Sequence, residues 1–239
     1  NGDLVKTQKF DQLNYNYIGD VLNAVRIFND KQAEEMIITD IGATVNNFEP
    51  NLELIKKISS TARMPITYGG GIKNIDQAKK IISYGVEKIS ISSKLFENFE
   101  FIKDLNAEFG AQSVSVTIDI KKINSEYFIH INNGKFNTKT KPDEFFEKLY
   151  GYAGELIINN IDHDGLMNGV DEKYIESIYK KIRIPLVVMG GIGSISEVSN
   201  IFKKYDIIGV ACGSLFIYKG RNRAVLINYP KKEILSNLE

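Results

Sequence analysis

The chain repeats itself. Residues 64–80, MPITYGGGIKNIDQAKK, and residues 184–200, IPLVVMGGIGSISEVSN, share one layout at a constant separation of 120 positions. Pro65 answers Pro185, and Gly70-Gly71-Ile72 answers Gly190-Gly191-Ile192. The same separation sets Met36-Ile37-Ile38-Thr39-Asp40-Ile41 on Leu156-Ile157-Ile158-Asn159-Asn160-Ile161. A chain with this pattern is two copies of one half, so its fold must accept a pseudo-twofold. Each copy runs from a short apolar stretch through glycines into a helix-patterned segment, and unbroken apolar stretches suit parallel strands buried on both faces.

Period and punctuation predict strands at Met36–Ile41, Pro65–Tyr68, Lys88–Ser92, Ser113–Ile120, Glu155–Ile161, Pro185–Met189 and Ile207–Cys212. Helices are predicted between them, beginning with one from Gly19-Asp20 to about Ala33 that has no strand before it. Seven strands alternating with helices, without a linker rich in Pro, Gly or Ser, make residues 1–239 a single (βα)8 TIM barrel of two half-barrels. An open doubly wound sheet is the fallback. Asp119 ends the fifth strand, and its counterpart 120 positions earlier falls just upstream of Asn1, so the first strand is expected to be missing or truncated here. Glu126–Ile131 and Lys135–Thr140 alternate around Asn132-Asn133-Gly134, an extra β-hairpin expected to stand apart from the main sheet. The tail is read as a loop and a last short helix broken near Pro230.

Thirty basic residues balance thirty acidic ones, and no basic stripe interleaves with aromatics, which argues against a nucleic-acid partner. No apolar run approaches the ~20 residues of a membrane span. Cys212 is the only cysteine, so neither an intrachain disulfide nor a thiolate-rich metal site can form, and the compartment reads as cytosolic.

In a parallel barrel the carboxyl ends of the strands form one rim, and their loops make the site. Glycines between strand and helix leave amide N–H groups bare beside the positive end of the helix, an arrangement that holds phosphate. Gly70 and Gly71 form one such cup with Ser92 and Ser93 at the next strand end. Gly190 and Gly191 form its twin with Gly213 and Ser214. Two cups facing each other imply a long ligand phosphorylated at both ends; the plainer alternative is two tight turns. Asp119, between apolar neighbours midway round, is placed for proton transfer, or else pairs with Lys121. Asp40 either touches ligand or caps its own loop, and Lys6 in the first loop reaches substrate or solvent. Asp162-His163-Asp164 lacks a third ligand at metal spacing, with His130 out on the hairpin. Asp164 is therefore expected to face ligand, with Gly165 giving an N–H to the second phosphate. No metal or other cofactor is called for.

These residues carry a resemblance. EEMIITDI, YGGGI, GVEKISIS, GAQSVSVTIDIK, GELIINNIDHDG and GGIGS stand in the order found in cyclase subunits of imidazole glycerol phosphate synthase, with the sister isomerase of histidine synthesis more distant. The likeness runs from Leu4 to the eighth strand. It implies a lyase that takes ammonia from a separate glutaminase subunit, its partner in a heterodimer. That ammonia splits a bis-phosphorylated ribulosyl-formimino carboxamide ribotide into imidazole glycerol phosphate and an aminoimidazole carboxamide ribotide. Asp119 matches one of the family's two catalytic aspartates; the other belongs to the first strand. Gly71, Ser92 and Ser93 match one phosphate site, and Gly165, Gly190, Gly191, Gly213 and Ser214 the other. Lys6 matches a mobile-loop lysine. Glu35, Lys88 and Glu155 match charges that ring the ammonia entrance, and Glu87 a neighbouring contact for the glutaminase.

Departures from the family pattern are Ser92 for Asn, Asn133 for Ser, Asn159 for Thr and Met189 for a small residue. The tail RNRAVLINYP instead resembles paralogues in surface-polysaccharide loci. That leaves a second reading, an ammonia-conducting subunit for amidation of an acetamido sugar, and a third, a sugar-phosphate isomerase. An Asp just before Asn1 favours the lyase, an apolar residue there the conduit.

Overall fold

A computed structural model describes residues 2–205 and 208–236. The chain opens with β1 (Asp3–Lys6) and β2 (Asn16–Asp20), then α1 (Val21–Asp30), β3 (Met36–Thr39), α2 (Leu52–Thr61), β4 (Ile66–Gly69), α3 (Ile75–Ser83) and β5 (Lys88–Ile91). It continues through α4 (Lys94–Glu97), α5 (Glu100–Phe109), β6 (Val114–Ile123), β7 (Glu126–Ile131), β8 (Phe136–Asn137), α6 (Asp143–Leu149) and β9 (Glu155–Asn160). The last part holds α7 (Glu172–Tyr179), β10 (Leu186–Met189), α8 (Ile195–Lys204), β11 (Ile208–Ala211), α9 (Ser214–Ile217), β12 (Tyr218–Lys219), β13 (Ala224–Val225) and α10 (Lys232–Leu235).

Seven strands pair in parallel in the order β11-β10-β9-β6-β5-β4-β3 and curl into a nearly closed α/β barrel. Strand bounds obey the repeat: β4 and β10, β5 and β11, and the short helices α4 and α9 are each 120 residues apart. The backbone repeats in detail. Asn47 and Met167 both have positive φ, as do Gly70 with Gly190 and Gly71 with Gly191. Helix caps repeat as well. Asn51 and Asp171 bond the N–H groups of Leu54 and Tyr174, and Asn74 and Ser194 those of Gln77 and Glu197. One face of each strand packs outward against the helices: Val114, Val116, Ile118 and Ile120 of β6 are all fully buried. Each such side chain contributes about 1.5–3 kcal/mol by leaving water.

Three expectations need correction. The hairpin does not stand apart from the main sheet, because β6 runs on to Ile123 and β7 returns antiparallel along it, setting Asp119 opposite His130. The reversal is the two-residue turn Asn124-Ser125, both at positive φ, a geometry that matches the twist of paired strands. Second, α1 ends at Asp30, short of Ala33, and its cap Asp20 ends a strand: β1 and β2 form an antiparallel hairpin outside the parallel sheet. Third, the tail is not a plain loop: β12 and β13 pair antiparallel, and Pro230 precedes α10. The tail then crosses to the far end of the barrel, where Tyr229 packs edge-on against Phe28 and its hydroxyl donates to Glu34. The strand expected upstream of Asn1, and Ile207 at the start of the predicted seventh strand, lie outside the described residues.

Candidate active site

The carboxyl ends of the strands enclose a cavity of about 650 Å³. Gly70, Gly71, Ser92 and Ser93 line one side, and Gly165, Gly190, Gly191, Gly213 and Ser214 line another. Lys6, Asp40, Asp119 and Asp164 also face it. Both glycine turns need a residue without Cβ. A methyl on Gly71 would fall 2.7 Å from Ala43 Cβ, and one on Gly191 2.8 Å from His163 Cβ. Ala43 and His163 are themselves repeat mates. Behind each turn a side chain braces the following loop: Lys73 N–H donates to Gln77 Oε1 at 2.8 Å, and Gly193 N–H to Glu197 Oε2 at 3.0 Å. Glu197 also receives Val170 N–H, tying the second cup to the loop after β9.

Asp119 lies between the cups. Burial pushes its carboxyl up to about 7, a hydrogen bond from Asn159 Nδ2 to Oδ1 at 3.3 Å pulls it down, and the nearby Asp164 charge raises it. Lys121 is exposed, so the pairing weighed for it does not form. A carboxyl that titrates near neutral pH can both accept and return a proton. Burial likewise raises Asp164 to about 6, against the pull of the Lys6 charge. Lys6 is buried and donates from Nζ to the Gly165 carbonyl. Desolvation lowers its pKa, with Arg223 adding to that effect and Asp164 opposing it. Asp40 lines the cavity and also caps its loop, accepting from Gly42 and Ala43 N–H at 3.1 and 3.0 Å. The Asp-His-Asp triplet splits three ways. Asp162 receives Lys122 N–H, His163 Nδ1 bonds the Gly169 carbonyl, and Asp164 faces the cavity.

At the opposite end, Lys88 Nζ bridges Glu35 and Glu155, each at 3.0 Å. These contacts and hydrogen bonds raise its pKa, although desolvation, the largest influence, opposes them. Thr67 donates to Glu35 and Ser115 to Glu155. Glu87 stands beside the bridge with one carboxylate oxygen taken by Ile66 N–H. Ser90 and Thr117, bonded to each other at 2.7 Å, belong to the same interior face of β5 and β6. The hydroxyls Thr67, Ser90, Ser115 and Thr117 were missed as a set, although the alternation Ser115, Thr117, Asp119 displays it in one strand. Arg223 was missed too: its guanidinium donates to the Leu166 carbonyl beside Gly165.

A family model described as histidine biosynthesis protein matches residues 1–222. The chain belongs to the histidine biosynthesis protein family. Among similar proteins, one of Leptospira interrogans, provisionally named imidazole glycerol phosphate synthase subunit HisF, is 44% identical over 235 residues, covering 97% of this chain and 92% of its own. A Pseudomonas aeruginosa protein with a provisional name of the same kind, subunit hisF2, is 41% identical over 229 residues, 95% and 90% of the two chains. The imidazole glycerol phosphate synthase subunit HisF of Natranaerobius thermophilus is 32% identical over 229 residues, with the same coverage. Family membership and these names favour the cyclase reading over the sugar-amidation and isomerase readings. Among the described residues no helix is long and apolar enough to cross a membrane.

Proposed function

We propose that this chain is the cyclase subunit of an imidazole glycerol phosphate synthase. In this reading it is a cytosolic lyase that uses ammonia from a partner glutaminase to close an imidazole ring and release an aminoimidazole carboxamide ribotide. One observation carries the reading: a single cavity joins two repeat-related glycine cups with a carboxyl that titrates near neutral pH between them. The cups hold the two phosphates of the ribotide through backbone N–H groups and Ser92, Ser93 and Ser214. Gripping both ends fixes the reacting middle over Asp119. Asp119 moves the protons of ring closure. Lys6, which ends β1 with its Nζ on the Gly165 carbonyl, turns its charge to the phosphate or the leaving amine when ligand enters.

The bridge of Lys88 with Glu35 and Glu155, beside Glu87, marks the end where the glutaminase docks. The hydroxyl-lined interior above it offers ammonia a polar path to Asp119. Full-length protein supplied with the bis-phosphorylated ribotide and high ammonium is expected to form imidazole glycerol phosphate without a glutaminase. Absence of turnover while phosphate ligands still bind would overturn the reading.

A further inference from the structure

Asn159 ends β9 directly beside Asp119 on β6, in register with it, and is 2 % exposed at the cavity wall. Its Nδ2 donates to Asp119 Oδ1, while its Oδ1 is buried without a partner. The ionised form of Asp119 only accepts hydrogen bonds, so in that form the amide nitrogen faces it and the amide oxygen points away. An unpaired buried acceptor costs free energy unless something donates to it. The neighbour on that side is Gly190 of the second cup, where a methyl would fall 2.7 Å from Asn159 Oδ1. Gly190 thus closes over the oxygen and seals it from the cavity, and the side chain reaches Asp119 through its nitrogen.

We infer that Asn159 is a positioning residue that fixes the orientation and proton affinity of Asp119. This does not depend on the cyclase reading. Other titratable groups around Asp119 are Asp164 from the loop after β9, with Lys6 beyond it, and His130 opposite on β7. His130 bonds the Gly134 carbonyl through Nδ1 and keeps Nε2 buried and unpartnered.

The test compares Asn159→Leu, which keeps the branched shape and removes both amide functions, with Asn159→Thr, whose hydroxyl can still donate and accept. Carboxyl NMR of ligand-free protein, with Asp119→Asn to identify the signal, is expected to show the Asp119 midpoint moved up in Asn159→Leu by about one pH unit and largely restored in Asn159→Thr. The Asn159→Leu shift should persist in a His130→Gln background. An unmoved midpoint, or a shift that vanishes without His130, overturns the positioning role. Failure of wild-type turnover sinks the cyclase reading alone, since the titration needs no turnover.

Discussion

Asp119 combines a functional gain with a stability cost. Its carboxyl is pushed up to about 7, so the folded state holds a proton that the unfolded chain releases near its ordinary value of 3.8. The contribution is fully present below that value and is lost as pH rises toward about 7, a loss on the order of 4 kcal/mol. Asp164, raised to about 6, acts in the same direction. Asp119→Asn, neutral at every pH, is therefore expected to raise the melting temperature relative to wild type at pH 8 and to leave it nearly equal at pH 4. Thermal scans at the two pH values check this, and a constant offset would assign the effect to packing. The same variant should lose about 10²–10⁴-fold in kcat with ligand affinity near normal; a loss below tenfold counts against its role in proton transfer. Asp119 was legible because a carboxylate between two isoleucines at a strand end has few structural uses. Asn159 was visible only as a departure from a family pattern, since no sequence rule says which way an amide turns. His130 was misplaced because the register that sets it opposite Asp119 depends on the Asn124-Ser125 turn.

At the scale of elements, the glycine turns and the charged strand starts make separate claims. Gly191→Ala puts a methyl on a residue at φ +98 and into His163 Cβ, so it should destabilise the fold by about 1–3 kcal/mol and abolish binding at the second phosphate cup. Denaturant unfolding and phosphate titration read the two effects. Lys88→Ala removes the cation that joins the starts of β3, β5 and β9 through Glu35 and Glu155. It should weaken glutamine-dependent turnover with the partner while sparing turnover with free ammonium; equal loss with both nitrogen sources contradicts the ammonia path. The parallel strands were legible because their apolar runs and glycine stops repeat at a fixed separation. The hairpins β1–β2 and β12–β13 were not, since both are short and lack an Asn-Gly turn. Their packing is set by distant partners such as Asn16 Nδ2 on the Tyr218 hydroxyl.

Across the whole molecule, duplication explains why two glycine turns share one mouth. Two copies of a strand-turn-helix unit, closed into a barrel, bring their turns to the same rim, and the proposed ligand that fills both carries a charge at each end. The most direct measurement is ³¹P NMR titration of full-length protein. Two inorganic phosphates should bind per chain, and one equivalent of the bis-phosphorylated ribotide should displace both. Binding of a single phosphate, or a ribotide that displaces only one, would contradict a ligand held at both ends.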